Sequence, residues 1–158
     1  MTAPPVIRSV GLHALPRSLL LEADPDERAL AAYPVDATGL QAELSGQVVG
    51  VCVLAPAYEH EIELLNIAVA PDVQGRGVGG VLLRAAIETA ADRGVRRLTL
   101  GTGTFGHQLQ FYQRYGFRVV EVERDYFLIH YDEPLWEASI RHRDRLSLAL
   151  DLIEPAVG

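Results

Sequence analysis

Cysteine is nearly absent from this chain. Cys52 is the only one in 158 residues, so no internal disulfide can form and any thiol chemistry would fall on that one residue. It sits inside the apolar run from Val48 to Leu54, the setting of a buried, unreactive thiol. The histidines at positions 13, 60, 107, 130 and 142 show no ligand spacing with cysteine or with one another, so no metal is expected. A clustered basic face is also missing. With a formal net charge of −7, nucleic acid is a poor partner, whereas a cationic substrate is compatible. No apolar tract is long enough to span a bilayer, which argues against a membrane partner, and Met1-Thr2-Ala3-Pro4-Pro5 lacks the positive flank and apolar run of a signal peptide. A cytoplasmic protein is therefore expected. There is no repeat, low-complexity tract or linker to divide the chain.

What is present is apolar residue in globular proportion, 49%, in a length suited to one domain spanning 1–158. A short strand is expected over Pro5 to Val10, then helical patterning from His13 to Glu22. Asp24-Pro25-Asp26-Glu27 reads as an acidic start to a short helix that ends before Pro34. Two runs, Leu40 to Leu44 and Gln47 to Leu54, flank Ser45-Gly46 as a hairpin, and Glu59 to Val69 reads as the next antiparallel partner. Val78, Val81, Leu82, Ala85, Ala86 and Ala90 form one buried helical stripe that Gly94 stops. Arg97 to Leu100 is a short strand, Gly101 to Thr104 a loop, and Phe117 to Glu123 a returning strand. In the tail, Leu146, Leu148, Leu150 and Leu152 alternate with Arg145, Ser147, Ala149 and Asp151, as in a half-buried strand; helical spacing is the alternative. An antiparallel meander followed by a strand–helix–strand crossover makes an α/β fold with a mixed sheet.

The stretch with most chemistry is Gln74-Gly75-Arg76-Gly77-Val78-Gly79-Gly80, joining the apolar run Leu64 to Val69 to the long helix. Glycines let backbone N–H groups approach an anion, and the unpaired amides of a first helical turn add positive partial charge, so a pyrophosphate-bearing ligand is implied. Gly75-x-Gly77-x-x-Gly80 satisfies the dinucleotide fingerprint, but no carboxylate stands about 20 residues on, where Leu98-Thr99-Leu100-Gly101-Thr102-Gly103 is found. The other match is Gln74-x-x-Gly77-x-Gly79, which resembles the coenzyme A pyrophosphate loop of the GNAT N-acetyltransferase superfamily.

A second motif stands in register with the first. From Glu63 to Phe117 the order is strand, glycine turn, helix, strand and a short helix closed by Tyr112-Gln113-Arg114-Tyr115-Gly116-Phe117, similar to the tyrosine-bearing end of the GNAT core. The clear resemblance covers about a third of the chain. It implies a single-domain, mostly antiparallel mixed sheet with a central splay that admits acetyl-CoA, flanked by helices. It also implies acetyl transfer to the amine of a small molecule or peptide, by direct attack in a ternary complex. A homodimer is left open. The runner-up is a non-catalytic acyl-CoA-binding sensor or interaction module.

Acyl transfer to an amine needs a proton acceptor, because an alkylamine with a pKa of about 10.4 is mostly protonated at neutral pH. Glu63 is the candidate, directly or through water, since its spacing to Gln74 resembles that of the carboxylate base in some GNAT enzymes. Glu59, Glu61 and Glu63 would share one face of a regular strand, either as a cation-binding surface or as a solvated strand end. Tyr112 matches the family's acid tyrosine, which would protonate the departing thiolate; beside Phe111 and Tyr115 it also suits a core position. The resemblance assigns the cofactor to the backbone at Ala68 and Val69, to Gln74, Gly75, Arg76, Gly77, Val78, Gly79 and Gly80, and to Thr102. Where many relatives carry an asparagine before the tyrosine helix, this chain has Phe105, with Thr102, Thr104 and His107 as replacements. Asn66 reads as a hydrogen-bonded structural amide or a substrate contact. For the acceptor pocket the candidates are Tyr33, Arg124, Tyr126, Phe127, His130 and Trp136.

Overall fold

The structure, a computed structural model, describes residues 3–152. Strand β1 (Val6–Gly11) leads through a single 3₁₀ turn at Leu12–Ala14 into two short helices, α1 (Arg17–Ala23) and α2 (Glu27–Ala31). The helical pattern expected from His13 to Glu22 is interrupted at Pro16, which has no N–H to continue a helix and instead caps α1 with φ −61° and ψ 121°. Helix α2 starts as its sequence predicts. The Asp26 carboxylate accepts the Arg28 N–H at 2.9 Å, satisfying one of the unpaired donors of the first turn.

Strands β2 (Thr38–Leu44) and β3 (Gln47–Pro56) form the expected hairpin. Ser45 and Gly46, at φ 51° and 80°, supply the two positive values of a type I′ turn, whose twist matches that of the strands. Strand β4 (Glu61–Val69) is shorter than the pattern suggests, because His60 takes φ 60° and turns the chain. Glu59 is therefore off the strand, and only Glu61 and Glu63 share a face. Helix α3 (Val78–Asp92) buries Val78, Leu82, Leu83, Ala86 and Ala90, adding Leu83 to the stripe while Val81 and Ala85 are only partly covered. Gly94, at φ 71°, ends it.

Strand β5 (Arg97–Gly103) runs on through the segment expected to be a loop, because β9 (Arg145–Asp151) pairs with it along its whole length from Arg97↔Asp151 to Gly103↔Arg145. Between them in sequence come α4 (His107–Arg114), β6 (Arg118–Glu123), α5 (Tyr126–His130) and a small hairpin of β7 (Trp136–Glu137) and β8 (Ile140–Arg141). The tail is a strand, not a helix. Main-sheet order is β1-β2-β3-β4-β5-β9-β6, with β4 and β5 parallel and every other neighbour antiparallel.

Each face of the sheet carries its own apolar layer. Helix α3 and residues of α4 cover one around Leu82, Leu98, Phe117 and Leu148; α1 and α2 cover the other around Leu19, Leu20, Leu30 and Val53. Among the described residues no helix is long and apolar enough to cross a membrane. Leu82 is fully buried at the centre of the first layer. Leu82→Ala is expected to lower unfolding free energy by about 2–5 kcal/mol, read as a lower denaturant midpoint at unchanged m-value.

Candidate active site

The site begins where two strands part. Strands β4 and β5 pair only at Glu61↔Arg97, Ile62↔Leu98 and Glu63↔Thr99. Beyond Glu63, β4 keeps its outer partner as far as Gly50↔Val69, and β5 keeps β9. The edges that face each other thus open into a splay whose backbone groups lack a strand partner.

A bulge at the same point sets which side chains look into the opening. In the β3–β4 register Leu54↔Leu64 is followed by Val53↔Asn66, so Leu65 is the extra residue. Partners across an antiparallel pair share a face. Glu63 therefore shares the α1 face with Ala55, and Asn66 and Ala68 share it with Val53 and Val51. Without the bulge, Asn66 would point into the α3 layer. Instead its Nδ2 donates to Leu20 O at 2.9 Å and to the Tyr33 hydroxyl at 3.2 Å, while that hydroxyl donates to Leu65 O at 3.3 Å. Through Nδ2, Asn66 is a structural tie that fixes a tyrosine of the site, while its buried Oδ1 has no partner among the described residues. Burial pushes the Tyr33 phenol up to about 12, with Asp24 and Glu63 adding to the shift and the Asn66 bond opposing it.

At the far end of β4 the glycine turn folds back. The Gln74 side chain donates to Val69 O at 3.1 Å, and Gly75 and Gly77 take φ 81° and 84°, values that L side chains rarely adopt. Helix α3 begins with no side-chain cap and no acidic residue in its first turn. Its first helical bond runs from Val81 N to Gly77 O, so the amides of Val78, Gly79 and Gly80 have no helix carbonyl. Gly79 and Gly80 differ in their surroundings. A Cβ on Gly80 would strike the Tyr115 hydroxyl, whereas one on Gly79 would stand 3.7 Å from Phe111 and Val69, ordinary contact distance. Gly80 thus serves close packing of α3 on α4, and Gly79 has no such packing reason to be glycine.

On the α1 face a cleft of about 920 Å³ lies between the first helices and the α5–β8 segment. Of the expected pocket residues, Tyr33, Tyr126, Phe127, His130 and Trp136 line it; Arg124 does not. Glu63 and Thr102 line it too, Thr102 being buried in β5. Its outer wall holds Asp24, which accepts the Tyr131 hydroxyl at 3.4 Å; burial raises both groups above their ordinary values. Phe105, at the position where many members of the family carry asparagine, lies flat on His142 at 4.3 Å, and His142 Nε2 is 3.0 Å from Glu137. Among the described residues no group of three or more His, Cys, Asp or Glu is arranged to hold a metal.

Tyr112 stands elsewhere. It is 5% exposed in the α3 layer, edge-on to Phe117 at 5.9 Å, and is not part of the cleft wall. Burial, with a smaller contribution from Cys52, raises its phenol above the ordinary range, so it stays protonated at neutral pH. Glu63 and Tyr112 thus lie on opposite faces of the sheet. Asp24, Tyr131, His142 and Arg145 are cleft residues that sequence reasoning did not select. Arg145 belonged to a visible alternating pattern. Nothing in that pattern distinguished it from an ordinary outward-facing residue.

Comparison with known proteins is consistent across family, sequence and structure. The family model described as acetyltransferase (GNAT) family matches residues 12–117. The uncharacterized N-acetyltransferase YvbK of Bacillus subtilis is 38% identical over 135 residues, 85% of this chain and 87% of that protein. Two solved structures superpose closely. An IAA acetyltransferase from Bacillus cereus has a TM-score of 0.88 at 42% identity, covering 93% of this chain and 99% of its own. A GNAT family acetyltransferase from Elizabethkingia anophelis, with acetyl-CoA bound, has a TM-score of 0.89 at 33% identity, covering 94% and 98%.

Cys52 is fully buried, and burial pushes its thiol up to about 12. The native protein should not react with a thiol-specific disulfide reagent at pH 8, and should react fully in denaturant. Stoichiometric labelling of the native form would contradict this placement.

Proposed function

The chain belongs to the GNAT acetyltransferase family, and on that premise we propose that it moves an acetyl group from acetyl-CoA directly to a primary amine bound in the cleft. One observation carries this reading: β4 loses β5 just past Glu63 and its free edge then runs toward an uncapped, glycine-built helix start. A carboxylate, a free strand edge and an anion-binding turn then lie along one strand. The acetyl-CoA bound to the Elizabethkingia anophelis protein supports the choice of donor.

The chain's own groups divide the work. The amides of Val78, Gly79 and Gly80, with Gly75 and Gly77 shaping the turn and Gln74 tying it to Val69, hold the pyrophosphate; Arg76, exposed on the turn, adds a positive charge. Gly79 fits this role because a helical glycine costs about 1 kcal/mol relative to alanine and no packing constraint requires it here. The free edge of β4 at Ala68 and Val69 pairs with the pantetheine arm and donates to the carbonyl oxygen. Thr102, across the splay on β5, faces that arm. Acetyl-CoA itself supplies the thioester electrophile and a thiolate leaving group.

Glu63 takes the proton that the acceptor ammonium must lose before its nitrogen can attack, directly or through one water. Tyr112, kept protonated by burial, gives its proton to the departing sulfur and is restored from solvent. Nitrogen–carbon bond formation balances carbon–sulfur cleavage, the nitrogen's second proton leaves to solvent as the amide forms, and no acyl-enzyme is needed. Cys52, the one thiol, is sealed in the core.

Coenzyme A release, measured over a panel of polyamines, aminoglycosides, amino acids and peptide N-termini, tests the reading. Glu63→Gln and Tyr112→Phe should each lower kcat by about 10²-fold or more while coenzyme A affinity stays near normal. Turnover only with hydroxyl acceptors would contradict N-acetylation. Coenzyme A binding with no turnover for any acceptor would favour the sensor.

A further inference from the structure

We infer that Arg145 is the positioning residue for the Glu63 carboxylate, and that position 101 is glycine so that the Arg145 guanidinium can cross the sheet to reach it. This rests on the reading of Glu63 as proton acceptor. Arg145 starts on β9, opposite Gly103 of β5, so Glu63 on β4 is two strands away. The path between them runs over the cleft face of β5. On that face a Cβ at Gly101 would fall inside the guanidinium, so any other residue would occupy the space the arginine uses.

The guanidinium is held at both ends. Nη2 donates to Glu63 Oε2 at 3.3 Å and Nη1 to Glu123 Oε1 at 2.9 Å, and Ser147 Oγ donates to the same Glu123 oxygen at 3.0 Å. The Tyr126 ring lies 4.7 Å from its central carbon. A planar fork anchored on β6 through Glu123, and stacked on an aromatic ring, presents one N–H at a fixed place; a flexible ammonium would not. The Arg145 side chain is 19% exposed and that of Glu63 33%, so the pair is shielded more than a surface ion pair but is open to the cleft.

The consequence for the reaction is geometric. Arg145 engages Glu63 Oε2 and leaves Oε1 outside that bond, so the carboxylate has one tethered oxygen and one available to a proton. The tether lies at Glu63↔Thr99, the last strand pair before the splay, where the acceptor nitrogen must meet the thioester. A general base displaced by about 1 Å can lose on the order of 10²-fold in rate, so the fork's value lies in placement.

Steady-state kinetics on Arg145→Met, Gly101→Ala, Glu63→Gln and the two double variants with Glu63→Gln test this. Gly101→Ala is the gentler change, because the group it meets is the far end of a side chain rather than backbone, and the backbone there is extended. Both Arg145→Met and Gly101→Ala should lower kcat by about 10- to 100-fold with KM for acetyl-CoA changed by less than about twofold. Neither should slow the Glu63→Gln enzyme further. Wild-type kcat in folded Gly101→Ala or Arg145→Met, with Glu63→Gln slow, would overturn the positioning role and leave the base assignment standing. A full loss repeated on top of Glu63→Gln would do the same. Wild-type turnover by Glu63→Gln itself would remove both.

Discussion

Backbone groups at a strand edge must find partners, and β4 beyond Glu63 has lost one set. Strand β3 stays paired with it to Val69 and β9 stays paired with β5 to Gly103, so the two halves of the sheet are each complete on their outer sides and open toward each other. An interior strand edge of this kind is satisfied by water or by a ligand that pairs as a strand would. The fold supplies the opening, and the two halves hold it apart. Glu63 stands at its apex, Thr102 on the far side, and the glycine turn at its end.

The bulge at Leu65 makes this opening chemically useful. It changes the parity of β4 in mid-strand, so Glu63, Asn66 and Ala68 all face α1 while Ile62, Leu64, Ile67 and Val69 face α3. A regular strand would bury the Asn66 amide in the apolar α3 layer, an unfavourable place for an unpaired polar group. With the bulge, Asn66 ties α1 to Tyr33, and Tyr33 to the Leu65 carbonyl at the place where the strands part. The apolar layer on the opposite face, with α3 and Leu82 at its centre, encloses Tyr112. The proposed base and acid thus lie on different faces of one sheet, each face with its own apolar layer.

Legibility in the sequence followed the range of the interaction. The hairpin at Ser45-Gly46, the α3 stripe and the glycine turn depend on residues a few positions apart, and each was readable. The tail strand was readable as alternation but not as a neighbour of β5, because a pairing between Arg97 and Asp151 joins residues from distant parts of the chain. For the same reason Gly101 to Thr104 looked like a loop: its two glycines suggested a turn, whereas both sit in a paired strand, one beneath Arg145 and the other beneath His142. Glu63 and Tyr112 were selected by family spacing. Their separation onto opposite faces was beyond any local pattern, as was the bulge that reverses strand parity. The acceptor cleft was least legible, since Asp24, Tyr131 and Arg145 converge on it only through the fold.

A coenzyme A donor that enters between β4 and β5, as proposed, pairs with the free edge of β4. Amide hydrogen exchange of the folded protein, resolved by residue and compared with and without coenzyme A, reads this directly. Slowed exchange is expected in two places: along β4 between Leu64 and Val69 at amides not already bonded to β3, and at Val78, Gly79 and Gly80. Slowing confined to the α5–β8 segment, with β4 and the α3 start unchanged, would contradict it.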